Sequence, residues 1–564
     1  MQPERLMVAS FGLDPATLEV IHGKLIAAVD EMAIITARTS MSPVIYEVLD
    51  YACGICRGDG DLVAQANGIT LFTGTFSGQI RFILRRFGDG MSPGDSFITN
   101  DPYQAGTHAC DMAVIRPIFH AGRRVAFAIN VAHWLDVGGA VPGSIPVNAT
   151  SMFQEGLRLP GVRLTRNDEP LPDMIAIISE NVRFPKLALG DLRAQLASVQ
   201  RAATRIEEII AGYGLATLEQ SFSAILDLSE QESRDALRQI PDGEYFCDDA
   251  IDGDGVTAVA IPVCCRILKQ ADQLTVDFTG SAATVKGPIN CSEGATRSAV
   301  KTVFKALVGP SEPSNEGWFR PLRVILPQGT VFSAEKPAPT GWYYEGSVHA
   351  SELVWKALAP LVPERFSAGS YASLCVTYLT MPTEDGGELV HIEPQHGGWG
   401  ACQDRDGASG LISLTDGDTY NYSVELLEAK FPLLTERYGF NVEGGAGAGR
   451  FRGGYGLVRE YRILSGSAQG YCGLGRTRIA PWSMAGGEPG SVNYVEIARQ
   501  NGSLSRLGRE PHFDLERGDI VRIVTGGGGG WGSPRLRHPL LVKQDIDNGL
   551  LTHIQANASY GDNR

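Results

Sequence analysis

The sequence has no run of about 18 apolar residues, the length a membrane-crossing helix needs, so no span is expected. Its opening, MQPERLMVASFG, has no apolar core behind a basic region, and no signal peptide is expected. Basic residues are in deficit: 49 Lys and Arg stand against 64 Asp and Glu, for a formal net charge of −15. That balance argues against general binding to nucleic acid or an anionic membrane, and leaves room only for a small anion in a local basic pocket. The ten cysteines are sparse and irregularly placed, which fits reduced thiols and a cytoplasmic location. Cys53-x-x-Cys56 has no second pair, so both thiols read as structural. Nucleotide loops are missing too. Thr525–Gly532 contains Gly527-x-Gly529-x-x-Gly532, but Ser533-Pro534 follows where a helix should open, and no Gly-Lys-Ser/Thr occurs. There is no G-x-S-x-G nucleophile elbow and no internal repeat.

What is present is long and rich in turns. A chain of 564 residues exceeds one core and should divide into several domains, and its 67 glycines come in clusters. Asp14 and Pro15 start a helix whose apolar face carries Leu18, Ile21, Leu25, Ala28, Met32 and Ile35. After Ser42-Pro43, Val44–Ile55 and Leu62–Ala66 read as strands, with Glu47 and Asp50 in the first, either partnered inside or exposed at an edge. Leu187–Tyr213 and Leu218–Ile240 read as long helices, with a boundary near residue 240. Val256–Leu268 and Leu274–Gly280 read as an antiparallel pair, Ser292–Leu307 as a helix, and Ser347 as the cap of another ending at Ala359. In Gly444–Gly454 the expected reading is tight turns beside solvated Arg450 and Arg452. The whole predicts an α+β, multi-domain fold with mixed and antiparallel sheets. The expected divisions are 1–240, holding a hairpin at 111–133 and helices over 187–240; a central α+β part, 241–400; a Gly-rich β part, 401–535; and a docking tail, 536–564.

One stretch, Asn100–Gly139, concentrates residues of metal-ligand type. Asp111–Phe119 and Arg124–His133 are rich in strand formers, with Ala121, Gly122 and Arg123 as the turn between them. Centring the turn on Gly122 opposes Phe119 to Val125, Pro117 to Phe127, Ile115 to Ile129, Ala113 to Val131 and Asp111 to His133. These pairs share one face, and opposed Cβ atoms lie about 4.5–5.5 Å apart, close enough for two side chains to hold one ion. His108 follows Gly106-Thr107 in the loop that enters the first strand. The residues alone leave two readings open, an open metal site or a salt bridge at a sheet edge. Beyond the hairpin, Asp136, Gly138-Gly139 and Pro142-Gly143-Ser144 form a loop able to close over its end. Glu155 and Arg158 offer an acid and a base in a turn, read as a surface ion pair.

Asn100-Asp101-Pro102-Tyr103, Gly106-Thr107-His108, Asp111, Ala132-His133 and Asp136-x-Gly138-Gly139 together resemble the signature of the hydantoinase B/oxoprolinase family. Pro142-Gly143-Ser144, Glu155-Gly156, Gly190–Gln195, Asp277–Ser281, Asn315-Glu316-Gly317, Arg452-Gly453-Gly454-x-Gly456 and Gly526–Gly530 extend the resemblance across nearly the whole chain. It implies a B-type subunit of an ATP-dependent enzyme acting on hydantoins, lactams or 5-oxoproline, or on ketones to be carboxylated. An A-type partner of the actin/hexokinase-like ATPase class, which binds the ATP, would phosphorylate the carbonyl or enolate oxygen. The B-type chain would then complete the reaction at a divalent metal.

By the same resemblance His108, Asp111 and His133 match metal ligands, and Asp50 matches an acid that completes the shell. Such ligands suit Zn or Mn, or Fe. The expected reaction is hydrolysis of a cyclic amide, with Asp136 or Glu155 orienting the water or taking its proton. The alternatives are a subunit of a ketone carboxylase of the acetone or acetophenone type, and a non-catalytic scaffold for the ATPase-like partner. A heterotetramer or larger assembly with that partner is expected.

Overall fold

The computed structural model describes residues 13–417, 419–507 and 512–561. The opening dodecamer, on which the expectation of no signal peptide rests, lies outside them. Among the described residues no single helix is long and apolar enough to cross a membrane. The fold is α+β, and the described residues form one seven-stranded, one five-stranded and two four-stranded sheets.

Helix α1 (Pro15–Thr39) begins as its sequence dictates: Pro15 takes the first turn and Asp14 accepts from Thr17 N at 3.0 Å. The seven-stranded sheet is built from β1 (Tyr51–Arg57), β2 (Leu62–Gln65), β3 (Ser96–Thr99), β4 (Asp111–His120), β5 (Arg123–His133), β6 (Val162–Arg166) and β7 (Glu169–Pro170). Its order is β2-β1-β5-β4-β3-β6-β7, every neighbour antiparallel. Helix α2 (Pro185–Tyr213) packs with α1 and lies over β4 and β5. Gln195 of α2 is fully buried there. Its amide donates to Met112 O and Asn130 O, and its carbonyl accepts from Trp134 Nε1. One side chain thus fixes both strands of the hairpin to the helix, with no polar atom of its amide left over.

The hairpin turn differs from the expected one. It has two residues, Ala121 and Gly122, with φ of 48° and 76°, a geometry that matches the right-handed strand twist. That turn pairs His120 with Arg123 and Phe119 with Arg124, while Ile118 pairs with Ala126. Val125 is the extra residue of a bulge, so the expected Phe119–Val125 pair does not form. From Ile118 to Asp111 the register is the expected one, and Asp111 stands opposite His133.

A second departure lies just before β1. Pro43–Tyr46 is a short helix where strand is expected from Val44, and Asp191 of α2 fixes the chain entering it by accepting from Met41 N and Ser42 N. Leu49 turns the chain with φ of 62°, and Asp50 emerges immediately ahead of β1 instead of within it. Cys53 and Cys56 both lie buried on β1, three residues apart and therefore on opposite faces, which rules out a shared ion.

Helix α3 (Leu215–Arg238) and helix α4 (Glu293–Val308, capped by Ser292) lie close to their expected bounds. Strands Ile261–Gln270 and Gln273–Asp277 form the expected antiparallel pair with shorter bounds. Helix α5 (Tyr343–Leu358) starts a turn earlier than expected, so Ser347 is interior and fully buried. The largest apolar cluster runs from Leu13 to Tyr471, drawing residues from both sides of residue 240.

The Gly-rich segments are structural. Gly398 N donates to Gly526 O, Gly528 N to Gly454 O, Gly529 N to Gly369 O and Gly530 N to Glu488 O. These backbones touch so closely that a Cβ on Gly528 would lie 2.1 Å from Trp399 O. Arg450 is exposed as expected, but Arg452 is not solvated. It is buried against Asp545 in helix Pro539–Asp547 and so fastens the terminal helices to the glycine segments. Replacing Gly528 by Ala is expected to destabilise the fold by roughly 2–4 kcal/mol, read as a lowered thermal midpoint. Gly439→Ala, whose Cβ meets nothing within 4 Å, should leave the midpoint nearly unchanged.

Candidate metal centre

The open end of the hairpin carries three ligand-type side chains. Asp101 accepts from Tyr103 N to start the turn Pro102–Gln104, Ala105 reverses the chain at φ of 70°, and Gly106 packs against Asp101 O. His108 emerges from that loop onto the pair Asp111 and His133. One ligand atom of each of the three lies within 4.8 Å of the others, and all three residues are buried.

Each neighbour leaves one atom of these groups free. His108 Nδ1 donates to Gly341 O at 2.9 Å, which leaves Nε2 as the inward nitrogen, 3.1 Å from Asp111 Oδ1. Asp111 Oδ2 accepts from Thr107 Oγ1 at 2.5 Å and from Tyr343 Oη at 3.1 Å. Asp111 Oδ1 faces His108 Nε2 alone, and His133 Nδ1 is buried without a hydrogen-bond partner. Buried polar atoms are rarely left so, and several acceptors facing one point are what a cation requires. The donor set fits a divalent ion.

The electrostatics agree. Burial acts against charge on both His108 and Asp111, but their mutual attraction wins: His108 is pushed above its ordinary 6.5 and Asp111 held below the usual carboxylate range. Burial and the neighbouring His108 lower His133 to about 4, so it is neutral at pH 7 with its lone pair available.

Around the trio lies a small cavity of about 40 Å³. Asp50 lines it, and its backbone O accepts from His133 N at 3.0 Å. Asp50 does not belong to the group that lies mutually within 4.8 Å. Burial first, then Asp111 and Asp416, pushes its carboxyl well up. Asp416 also lines the cavity. Burial, Asp111 and Glu345 raise it to about 8, and its Oδ2 has no hydrogen-bond partner. Asp416 and Tyr343 escaped the sequence reading. Asp416 precedes Gly417 in a polar stretch that looks like any Asp-Gly turn.

The two residues expected to handle a proton do other work. Asp136 is consumed inside its own loop, accepting from Gly138 N, Gly143 N, Ser144 Oγ and both the backbone and side chain of Arg183. It does not line the cavity. Glu155 forms no surface pair with Arg158. It is buried and accepts from Thr340 N and Gly341 N at 2.8 and 2.6 Å, while burial raises it to about 7. Because the Gly341 carbonyl holds His108, Glu155 helps set the orientation of that imidazole through the backbone of Gly341.

Known proteins share this fold and sequence. The family described as hydantoinase B/oxoprolinase matches residues 14–534. The B component of a putative D-/L-hydantoinase from a Pseudomonas species is 30% identical over 97% of this chain and 95% of its own. The crystal structure of an ATP-dependent caprolactamase from Pseudomonas jessenii superposes with a TM-score of 0.90 at 27% identity, covering 97% of this chain and 96% of that one. The 5-oxoprolinase 1 of Arabidopsis thaliana is 28% identical over 92% of this chain, which spans 42% of that longer protein.

Two outcomes are expected from elemental analysis and metal titration. Glu155→Ala should weaken metal affinity by about 10–100-fold, with Glu155→Gln weakening it less because an amide oxygen still accepts. Metal loading should fall on acidification, beginning above pH 6.5, because the raised His108 keeps a proton that the ion must displace.

Proposed function

The chain belongs to the hydantoinase B/oxoprolinase family, and on that premise we propose that it is the ring-opening component of a two-part, ATP-dependent cyclic-amide hydrolase. The observation that carries the proposal is the set of donor atoms converging at the mouth of the hairpin, with no polar partner outside the trio, among the described residues, for Asp111 Oδ1 or His133 Nδ1. An A-type, ATPase-like partner would activate the amide by phosphorylating its carbonyl oxygen, in an assembly of at least two copies of each chain in the cytoplasm. The described part of this chain has no phosphate loop: its glycine clusters are packed against one another.

His108 Nε2, Asp111 Oδ1 and His133 Nδ1 would hold one divalent ion, Zn, Mn or Fe, with Asp50 nearby. Such an ion supplies Lewis acidity and lowers the pKa of water toward about 7. The remaining work falls to the chain's own side chains. Water oxygen bonds to the phosphorylated carbonyl carbon, the C–N bond breaks as the departing nitrogen takes up the water's protons, and a second water splits the acyl phosphate left behind into carboxylate and inorganic phosphate. Asp416 lines the same cavity with an unpartnered Oδ2, and burial favours its protonated form. It is the group proposed to relay a proton to that nitrogen. Tyr343 anchors Asp111 through its hydroxyl, and the aliphatic and aromatic wall displaces bulk water.

The test is a reconstituted assay with the A-type partner, ATP and a hydantoin or lactam. Ring opening should require both chains and show no bicarbonate dependence. His108→Ala should abolish turnover while leaving the complex assembled; retained turnover would leave only a scaffold. Asp416→Asn should lower kcat by about 10²–10⁴-fold with little change in KM, measured by product release.

A further inference from the structure

Two of the hydrogen bonds at Asp416 are local. Its backbone N donates to Ser413 O at 3.1 Å, and its backbone O accepts from Thr419 Oγ1 at 2.7 Å. Three side-chain oxygens of this stretch, Ser413 Oγ, Thr415 Oγ1 and Asp416 Oδ2, are buried without a hydrogen-bond partner. A tie to a distant part of the molecule lies at the neighbouring Thr415 carbonyl. Its oxygen accepts from Thr70 Oγ1 at 2.7 Å and from Leu71 N at 3.3 Å, which engages both lone pairs.

Thr70 opens a single helical turn, Thr70–Thr73, and Phe72 of that turn lines the metal cavity. The turn is seated on α4. Ser298 Oγ donates to Thr70 O at 2.9 Å, and a Cβ on Gly74 would fall 2.0 Å from the same hydroxyl. The peptide unit whose oxygen Thr70 holds ends at the Asp416 Cα. Because that unit is planar, fixing its oxygen fixes the direction from which the Asp416 side chain departs. A hydroxyl 345 positions away in sequence thus bears on where this carboxyl points.

Resting on the reading of Asp416 as the proton donor, we propose that Thr70 is a positioning residue: its hydroxyl, acting through the Thr415 carbonyl, aims the Asp416 carboxyl at the departing nitrogen. Removing the hydroxyl leaves Leu71 N on the same oxygen, so no buried acceptor is orphaned and the turn keeps its fold. What goes is one of two restraints on the peptide plane. A reacting group misplaced by about 1 Å costs on the order of 10²-fold in rate. Binding of the ring before reaction does not depend on that aim, so the loss falls on kcat and not on KM.

In the reconstituted assay Thr70→Val should lower kcat by about 10–100-fold with KM nearly unchanged, and Thr70→Ser, which keeps the hydroxyl, should restore kcat. Combined with Asp416→Asn, Thr70→Val should cost no further rate, because its effect passes through the carboxyl. Wild-type kcat in Thr70→Val, losses that multiply in the double variant, or a Thr70→Ser as slow as Thr70→Val overturns the proposal. Hydrogen exchange on the full chain adds a readout that needs no turnover. Amides of residues 413–417 should exchange faster in Thr70→Val than in the wild type or Thr70→Ser; equal exchange overturns the positioning. If the wild type opens no ring while that difference in exchange holds, the hydrolase reading fails and the placement of Asp416 by Thr70 stands. Ring opening at the wild-type rate by Asp416→Asn removes the donor role and the proposal with it.

Discussion

Three groups that share one charge preference, two imidazole nitrogens and a carboxylate oxygen, are brought to one buried point, and much of the molecule exists to hold them there. Each is immobilised from behind. Gly341 O fixes His108, Thr107 and Tyr343 take the outer oxygen of Asp111, and the strand pairing of β4 with β5 fixes the spacing of Asp111 and His133. Leaving such atoms unpaired in a dry cavity is destabilising unless positive charge arrives. In its absence the structure offers only a proton, which His108 retains above its ordinary value.

The restraints are drawn from far along the chain. Glu155 reaches His108 through the backbone of Gly341, and α5 sends Tyr343 to Asp111. Asp191 of α2 folds the segment that ends in Asp50, while Gln195 of the same helix holds the hairpin strands. One helix thus places both the pair that forms the trio's base and the extra acid beside it. This arrangement explains why the apolar cluster continues past residue 240 rather than stopping with the hairpin.

What the sequence made legible followed from short-range periodicity. The pairing of Asp111 with His133 was readable because strands alternate faces and a glycine marked the turn. The bulge at Val125 was not, since the two-residue turn and the strand body favour registers one residue apart. Val44–Tyr46 read as strand because the helical start there depends on Asp191, about 150 positions away. Asp136 and Glu155 lay near the hairpin in sequence, yet their partners are backbone amides that no spacing discloses. Arg452 looked solvated because Asp545 belongs to another segment. Asp416 carried no local mark at all: its meaning comes wholly from the cavity it faces.

The glycine segments bear on how the chain comes to be folded. Residues 369, 398–401, 447–454, 488 and 526–530 hydrogen-bond to one another through bare backbone, although long stretches of chain separate them. Apart from Gly453 N to Gly447 O, these contacts join distant segments, so their closure depends on loops already reduced by the sheets around them. The knot is therefore a late step in assembly. Until it closes, the nascent molecule exposes unpaired peptide groups from several segments at once, a surface prone to self-association and suited to capture by a chaperone.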